Sequence, residues 1–415
     1  MFFCDTIKSK KGEKTHLKLE KDFTFSVFDK TELVNEKDWT EVLDYRNFFL
    51  ELKYLKILES IETRTFGARY VIVYKNKLPY GLIYFQIINF EAKAFGDLLE
   101  TQLKNLQSKR SKLFEKYIDE NEREVLMRLV TCGNNVVTGE NAFIFKKNGL
   151  TKNKNYDLVE KIIDKLGSKE KLRGKVSAIL VKDFYHPVDT PRSKCPLRGE
   201  KYVGFKVEPN MVVDIPENVN TLEQYILSFS KKYRNRAKGI LKLGSVIETK
   251  QLSLSELKKE NDDIYNLYLQ VFNKAKFKLI KLPRNYFYEC KQQFGESFFI
   301  IGFYLNKKLV AFCTGFEISA EEIEAHYIGF EYELNKELEL YQNILYKLID
   351  ITLLLKRKRL NLGRTASEIK STVGAKEQEL TCYIMPQNTI SKVVLKPFMQ
   401  LLQPSDWVPR NPFKE

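Results

Sequence analysis

The chain has 415 residues, 43% of them hydrophobic, and Lys and Arg outnumber Asp and Glu by 69 to 54, which gives a net charge of +15. This length and composition exclude a disordered, collagen-like or low-complexity chain and predict two or three globular domains. The charge favours a polyanionic partner such as tRNA, an acidic carrier protein or anionic lipid, although a Lys-rich composition gives the same surplus without any partner.

The sequence carries no export or membrane signal. Its first residues lack the apolar run of a secretory signal. The longest apolar stretch, 344–355, is interrupted by Lys347 and Asp350 and is shorter than the roughly 18 residues that span a bilayer. The six cysteines form no CxxC pair, which argues against a zinc ribbon and a disulfide framework. We therefore expect a cytoplasmic protein with no integral membrane segment.

The first half of the chain begins with two predicted strands, 68–74 and 81–90, which are rich in β-branched and aromatic residues and are joined by a hairpin connection at 76–79. A charged stretch over 98–124 has apolar residues at helical spacing and predicts one long or broken helix. Further elements follow in order, namely an apolar segment, a strand, an amphipathic helix and a strand: 125–130, 142–145, 156–166 and 176–181.

Prolines mark the internal boundary of the chain. They concentrate in 185–199, where they disfavour both helix interiors and central strands. We therefore place one domain at 1–200 and a second at 201–415. A strand pair over 203–213 is expected to bridge them.

The second half repeats this plan with a meander of three strands. Asn306-Lys307-Lys308 is a short hairpin signal between the first two strands. The predicted helices are 222–243, 254–274, 284–294, 338–355 and 367–373, and the predicted strands are 298–305, 309–318, 323–330, 359–362 and 379–385. The fold class is therefore α/β, with a mixed central sheet flanked by helices in each half.

Two segments of the second half resemble a known group of enzymes. They are 227–238 (LSFSKKYRNRAK) and 360–375 (LNLGRTASEIKSTVGA). Together with His326-Tyr327 and Tyr341, they resemble the Fem-like acyltransferase families, whose members carry GNAT folds in tandem. The similarity covers 217–386, where a meander followed by helix, strand, helix and strand is the order of a GNAT half-barrel. In the first half, 130–140 (VTCGNNVVTGE) is similar to a Gly-Asn and Thr-Gly-Glu loop of related bacterial proteins.

The resemblance implies an N-acyltransferase that moves an acyl or aminoacyl group from a thioester or ester to an amine, without a metal or a tightly bound cofactor. Family members include peptidoglycan interpeptide-bridge transferases. The chain lacks the RxxGxG/A pyrophosphate loop of acetyl-CoA enzymes, so acyl-CoA and acyl-carrier protein remain rival co-substrates. Its second half also lacks the heptad-patterned hairpin of some tRNA-using members, which places aminoacyl-tRNA third.

Amide formation needs a neutral amine, a proton acceptor and donors for the developing oxyanion. On the strand 323–330, alternation puts His326 on the same face as Glu324 and Ile328, and puts Ala325 and Tyr327 on the opposite face. A glutamate beside the imidazole could tune its pKa toward neutral pH. A hydrogen-bonded core histidine would show the same pattern. The candidate catalytic residues are Glu324, His326 and Tyr341.

A cluster of cations over 356–370 is the candidate anion site. Arg364 and Lys370 flank the start of a predicted helix, which Thr365 or Ser367 could cap, with Glu368 completing a capping box. The backbone N–H groups at that helix start would bind an anion together with the cations. The cluster could therefore hold the phosphate of a carrier or a substrate carboxylate. The alternative is a solvated basic surface.

Two further features are candidates for binding the donor. The predicted helix 222–243 carries six cations, some of which share one side: Lys231, Lys232, Arg234, Arg236, Lys238 and Lys242. Tyr233 and Arg234 are the members of this helix to test first. In the first half, Gly133 and Asn134 lie in a loop that could expose backbone amides. The alternatives are a solvated charged face and a tight turn.

Two functions follow from these observations. The first is the N-acyltransferase, and the alternative is a non-catalytic binding module that uses its basic face for nucleic acid or anionic lipid. The sequence contains no HExxH, Walker, GxSxG or dinucleotide fingerprint. Hydrolase, NTPase and dehydrogenase functions therefore lose their usual support.

Overall fold

The computed structural model describes residues 14–43, 47–62, 66–91, 126–147, 150–172, 176–185, 201–275, 279–387, 399, 402–404 and 406–414. The chain divides into two compact units: unit 1 is Met1–Val207 with Leu380–Gln403, and unit 2 is Glu208–Glu379 with Pro404–Glu415. This division differs from 1–200 and 201–415 chiefly in assigning a C-terminal segment to unit 1. The helix expected over 98–124 lies outside the described residues, as does the proline-bearing segment 185–199 apart from Tyr185.

Unit 1 contains a mixed sheet with helices on both faces. Its strands are β1 (Lys14–Glu20), β2 (Phe23–Phe28), β3 (Phe66–Lys75), β4 (Leu78–Glu91), β5 (Leu126–Cys132), β6 (Phe143–Phe145) and β7 (Val176–Phe184). Its helices are α1 (Glu36–Leu43), α2 (Leu52–Leu58) and α3 (Lys152–Leu172). The strand β14 (Lys376–Pro386), most of which belongs to this unit, is antiparallel to β7.

The sheet of unit 1 has the order β1-β2-β3-β4-β5-β7-β14. The strands β1 to β5 are antiparallel neighbours, whereas β5 and β7 are parallel and α3 connects them. Apolar side chains on one face, such as Val71 and Val130, pack with Ile162 of α3. On the other face Trp39 of α1 contacts Tyr70. This alternation is what the predicted half-buried strands require.

Unit 2 follows the same plan. Its strands are β8 (Val203–Asp214), whose first residues belong to unit 1, β9 (Glu248–Gln251), β10 (Phe298–Leu305), β11 (Lys308–Glu317), β12 (Glu322–Phe330) and β13 (Arg359–Asn361). Its helices are α4 (Leu222–Leu227), α5 (Lys231–Leu243), α6 (Leu254–Lys259), α7 (Asn261–Lys274), α8 (Tyr286–Phe294), α9 (Tyr332–Leu338), α10 (Leu340–Leu354) and α11 (Ser367–Ser371).

The sheet of unit 2 has the order β8-β13-β12-β11-β10-β9. The pair β12 and β13 is parallel, with α10 in the connection between them, and the other neighbours are antiparallel. One face packs Cys313 with Ile344 of α10 and Ile240 of α5. The opposite face packs Phe312 with Phe287 of α8, whose rings are 5.2 Å apart. Each unit is thus the predicted α/β layer.

The two predicted hairpins have the same turn geometry. Asn76 and Lys77 between β3 and β4 have φ of 49° and 66°, and Asn306 and Lys307 between β10 and β11 have φ of 49° and 65°. Two consecutive residues with positive φ form a type I′ turn, whose twist matches that of the flanking strands.

Three predicted elements have different boundaries in the structure. The helix expected over 222–243 is interrupted between α4 and α5, where Phe229 forms a β-bridge with Phe413 and the Ser230 amide donates to the Pro412 carbonyl at 2.8 Å. The helix expected over 254–274 is two helices in the structure. α6 ends at Lys259 and α7 begins at Asn261, with Glu260 between them. The expected strand pair over 203–213 is the single strand β8, because the chain stays extended through Pro209.

Within the described residues, no helix combines the length and the apolar character needed to cross a bilayer.

Candidate functional site

The candidate site of unit 2 lies where its two parallel strands separate. β12 and β13 are paired over only three residues, from Glu322 and Arg359 to Glu324 and Asn361. β12 continues to Phe330, and its central residues 325–328 are partly exposed although the residues on either side are buried. The middle of a central strand is therefore accessible on the edge that β13 leaves, and the side chains around this opening are the candidate functional groups.

A β-bulge changes which side chains face each other at the opening. Cys313 pairs with Ile328 and Gly315 pairs with Ala325, so Thr314 alone opposes both His326 and Tyr327. The Thr314 hydroxyl fixes the bulge, because it donates to the Tyr327 carbonyl at 2.8 Å and accepts from the Tyr327 amide at 2.9 Å. Two residues opposite one is the defining feature of a bulge.

The bulge puts His326 and Tyr327 on the same face. Both rings contact Tyr286 of α8, with centroid separations of 5.6 and 6.3 Å. The prediction from strict alternation, which placed Tyr327 opposite His326 and Ile328 beside it, is therefore wrong. Ile328 instead packs with the core on the α10 face.

His326 is held in an aromatic enclosure. Its Nε2 is 2.7 Å from the Tyr286 hydroxyl, and its ring is 5.1 Å from that of Phe316. Burial of the imidazole lowers the pKa of His326 to about 3. The predicted tuning toward neutral pH by Glu324 is wrong, because desolvation by these rings opposes protonation. At neutral pH the side chain is an uncharged, fixed hydrogen-bonding group.

Glu324 is the last residue of β12 that pairs with β13, and it is almost completely buried, with 4% exposure. Burial and the nearby Glu322 carboxylate raise the pKa of Glu324 well above its usual value, while Lys370 and a hydrogen bond from Asn361 act in the opposite direction. A carboxyl group with a raised pKa keeps its proton to higher pH than an ordinary glutamate and is a stronger base once it has lost it. Glu324, and not His326, is therefore the group of this opening whose pKa shift suits proton transfer.

Lys370 lies beside Glu324 but does not present its charge to solvent. It is 4% exposed, and its Nζ donates to the carbonyls of Leu362, Gly363 and Arg364 at 2.8, 3.1 and 2.6 Å. Burial lowers the pKa of Lys370 to about 7 against the opposing effect of Glu208 and Glu324. The structure thus directs the donors of Lys370 to the loop after β13, not outward to an anion as expected.

The predicted cap of α11 is also wrong. The residue before the helix is Ala366, with φ of 51°, and no side chain caps it. Thr365 also has a positive φ of 67°, so its side chain cannot take the extended geometry of a capping residue. Glu368 accepts from Arg410 instead of completing a capping box. With five residues, α11 offers no helix terminus for an anion site.

Tyr341 and Arg234 lie on different helices of unit 2. The Tyr341 ring packs 6.1 Å from Phe330, and burial raises the pKa of its hydroxyl, which stays protonated. The amide of Tyr341 donates to the Asn335 side chain at 2.8 Å. Arg234 is partly exposed on α5. Of the predicted residues, the structure brings Glu324 and Lys370 together, along with the backbone of Arg364.

Gly133 and Asn134 belong to a tightly bonded loop of unit 1. Gly133 has φ of 125°, and a Cβ there would approach the Lys182 side chain to 2.8 Å, so glycine is required. Lys182 donates to the Asn134 and Val137 carbonyls at 2.8 and 2.9 Å, and the Asn134 side chain accepts from Gln86 at 3.0 Å. This geometry supports the tight-turn alternative for the loop.

Two functional candidates were missed by the sequence analysis. Tyr286 is fully buried and bonds His326 from a helix 40 residues away, a separation at which no spacing rule applies. Asn361, inside the LNLGRTASEIK segment, pairs with Glu324 only through the register of two parallel strands. Pairing β12 with β13 in the correct register would have placed Asn361 beside Glu324. No pattern in the sequence connects Tyr286 with His326.

No protein-family model matches the chain, and no curated protein sequence matches it. Among solved structures, FemX aligns with 89% of this chain and 98% of its own, at a TM-score of 0.50 and 11% identity. A tandem GNAT protein from the clavulanic acid biosynthesis pathway aligns with 90% of this chain and 98% of its own, at a TM-score of 0.44 and 7% identity. At such identities a likeness concerns the fold alone. The chain therefore shares the fold of FemX, and each of its two units is a mixed α/β layer.

Proposed function

We propose that the protein is an N-acyltransferase that moves an acyl or aminoacyl group from a thioester or ester to an amine. The observation that carries this proposal is the buried Glu324, with its raised pKa, at the point where β12 and β13 separate. The Fem-like GNAT fold supports the same activity. Fold alone does not specify a reaction, so the assignment rests on the chemistry of this opening.

The proposed reaction requires one proton acceptor. The amine nitrogen attacks the carbonyl carbon and forms the C–N bond, and the C–S or C–O bond of the donor breaks. Glu324 takes the proton that the amine loses and returns it to the departing sulfur or oxygen. The raised pKa makes the Glu324 carboxylate a stronger base than an ordinary glutamate, which favours removal of the amine proton. Binding along the strand edge would hold the amine next to the carbonyl, and this proximity would further increase the rate.

His326 and Tyr286 are proposed to position the reacting carbonyl. With its pKa lowered to about 3, the imidazole of His326 is a weak base, so we assign it hydrogen bonding instead of proton removal. Tyr286 fixes the ring from the side of α8. Tyr341, whose hydroxyl stays protonated, remains a proposed contact to the donor.

The surroundings of α10 favour a donor other than acyl-CoA. Four glutamates precede the helix: Glu331, Glu333, Glu337 and Glu339. Asn335 already accepts from the Tyr341 amide in the first turn. A helix start with free amides attracts the pyrophosphate of acyl-CoA, but nearby carboxylates repel it, and they repel the single phosphodiester of a carrier-bound pantetheine arm or of a tRNA 3′ end less. We therefore propose acyl-carrier protein or an aminoacyl ester on tRNA as the donor ahead of acyl-CoA.

A comparison of donors tests this function. The purified protein is incubated with acyl-CoA, acyl-carrier protein or aminoacyl-tRNA, each with the same panel of amines, and amide products are measured by mass spectrometry. We expect transfer from at least one of the two carriers at a higher rate than from acyl-CoA. Equal rates from acyl-CoA would contradict the donor preference, and no transfer from any donor would contradict the enzyme itself.

The pH dependence provides a second prediction. Glu324 acts as a base only when deprotonated, so kcat/KM should rise with pH through its raised pKa. Since the charge of Glu322 raises that pKa, Glu322→Gln should lower it and move the acidic limb to lower pH, with the plateau unchanged. The measurement is kcat/KM from pH 5 to 9. Glu377→Gln, which removes an exposed charge on β14, should leave the limb in place. A limb that stays fixed or moves upward in Glu322→Gln would refute the assignment.

A further inference from the structure

The helix α5 has a one-sided charge that the proposed reaction does not use. Within Lys231–Leu243 there are six basic residues and no acidic residue. Its buried face is small, with Ala237 and Ile240 facing the core. Burial therefore explains only that face, and the charge of the opposite face needs a separate explanation.

Three lysines form a straight row along the exposed side. Lys231, Lys238 and Lys242 are separated by seven and four residues, spacings that return to nearly the same side of a helix. With a rise of about 1.5 Å per residue, the row is roughly 16 Å long. All three residues are exposed. The row therefore presents a line of positive charge to whatever lies outside it.

None of these three lysines lies within 4.0 Å of a carboxylate in the described part of unit 2. Two other exposed lysines of this unit do have acidic partners, Lys358 with Glu321 at 2.6 Å and Lys308 with Glu331 at 2.6 Å. The charge of the row is thus not neutralised within the described residues, and an external anionic surface would complement it.

Exposed aliphatic side chains lie at the C-terminal end of α5. Leu243 at the end of α5 is 46% exposed, and Val246 just after the helix is 60% exposed. The large apolar residues exposed around α5 are aliphatic, with no aromatic ring among them in the described residues. Single-stranded nucleic acid is bound with stacking aromatics, whereas the headgroup region of a bilayer accepts cations beside aliphatic chains. The combination fits a lipid surface better than nucleic acid.

We propose that α5 docks the protein on a membrane rich in anionic phospholipid. The lysine row contacts the phosphates of the headgroups, and Leu243 and Val246 enter the boundary with the acyl chains. Such docking is peripheral and reversible, since one short amphipathic surface gives moderate affinity. The surface would hold the protein at a bilayer whether or not it transfers acyl groups.

Vesicle binding tests the proposal. The full chain is mixed with vesicles of phosphatidylglycerol and phosphatidylcholine, or of phosphatidylcholine alone, and the bound fraction is measured by flotation at low and high salt. The triple variant K231Q/K238Q/K242Q should bind the anionic vesicles on the order of 100-fold more weakly, since each cation contributes roughly fivefold. Binding by the wild-type chain should fall with salt and should be absent without the anionic lipid.

A matched variant separates the row from the overall charge. K258Q/K259Q/K336Q removes three exposed lysines from other helices of unit 2 and gives the same net charge as the first variant. It should bind within about twofold of wild type if position matters more than net charge. Leu243→Ser with Val246→Ser should weaken the binding that persists at high salt. Circular dichroism confirms that each variant is folded.

Several outcomes would overturn the proposal. Equal losses in the two triple variants would show that net charge, and not α5, governs the interaction. Failure of the wild-type chain to bind anionic vesicles would exclude the docking. Tighter binding of tRNA than of vesicles, lost in K231Q/K238Q/K242Q, would reassign the row to nucleic acid. An acidic carrier protein that displaces the vesicles and binds more tightly through the same lysines would reassign it to a protein.

Discussion

The variant Glu324→Gln should transfer the acyl group about 100-fold or more slowly than the wild type, because a general base contributes roughly this factor or more. The loss should appear in kcat with little change in KM, since the amide can still bond to Asn361 and fill the same volume. Steady-state kinetics with the best donor and amine measure both constants. Glu324→Asp, which keeps the carboxylate but moves it back by one carbon, should retain part of the rate.

The stability of the variant separates catalysis from folding. Glu324 is buried with its charge disfavoured, so a neutral amide at this position should not lower the free energy of unfolding by more than about 1 kcal/mol. Glu377→Gln makes the same chemical change at an exposed strand position and should keep full activity. A wild-type kcat in Glu324→Gln would remove Glu324 from the mechanism, and the proton would then need another acceptor.

Much of the fold was predictable because its signals are local. The strands β10, β11 and β12 are within one residue of their predicted bounds, and both hairpins begin their turn with an asparagine, a residue that tolerates positive φ. The interruption between α4 and α5 was not predictable in the same way. It depends on Phe413, which is 184 positions from Phe229 in the chain and forms a bridge with it. Tertiary contacts of this kind override a continuous helical pattern.

The site was less predictable than the fold because its geometry depends on irregular backbone. Strict alternation gave the correct face for Glu324 and His326 but the wrong face for Tyr327, since the bulge at Thr314 inserts one residue. Lys370 lies beside Glu324, yet the direction of its donors depends on the left-handed loop after β13. Residue type thus suggested candidate side chains, whereas the surroundings of each one depend on backbone geometry that the sequence pattern does not contain.

Lys370→Met should be the most destabilising of the substitutions proposed for this protein. Methionine has a similar length but no donor, so the carbonyls of Leu362, Gly363 and Arg364 would lose the ammonium that they share. Removing one partner of a buried charged network costs about 3–5 kcal/mol. Urea unfolding followed by circular dichroism measures this loss. Lys376→Met, at an exposed position close in sequence, should change the free energy of unfolding by less than about 0.5 kcal/mol.

The same substitution should move the acidic limb of kcat/KM in the direction opposite to Glu322→Gln. Lys370 lowers the pKa of Glu324, whereas Glu322 raises it. Loss of the lysine should therefore raise that pKa and move the limb to higher pH, while loss of the glutamate moves it to lower pH. A structural role alone would reduce the amount of folded Lys370→Met without shifting its pH profile. If folded Lys370→Met protein keeps the acidic limb of kcat/KM at the wild-type pH, Lys370 stabilises the loop but does not influence the pKa of Glu324.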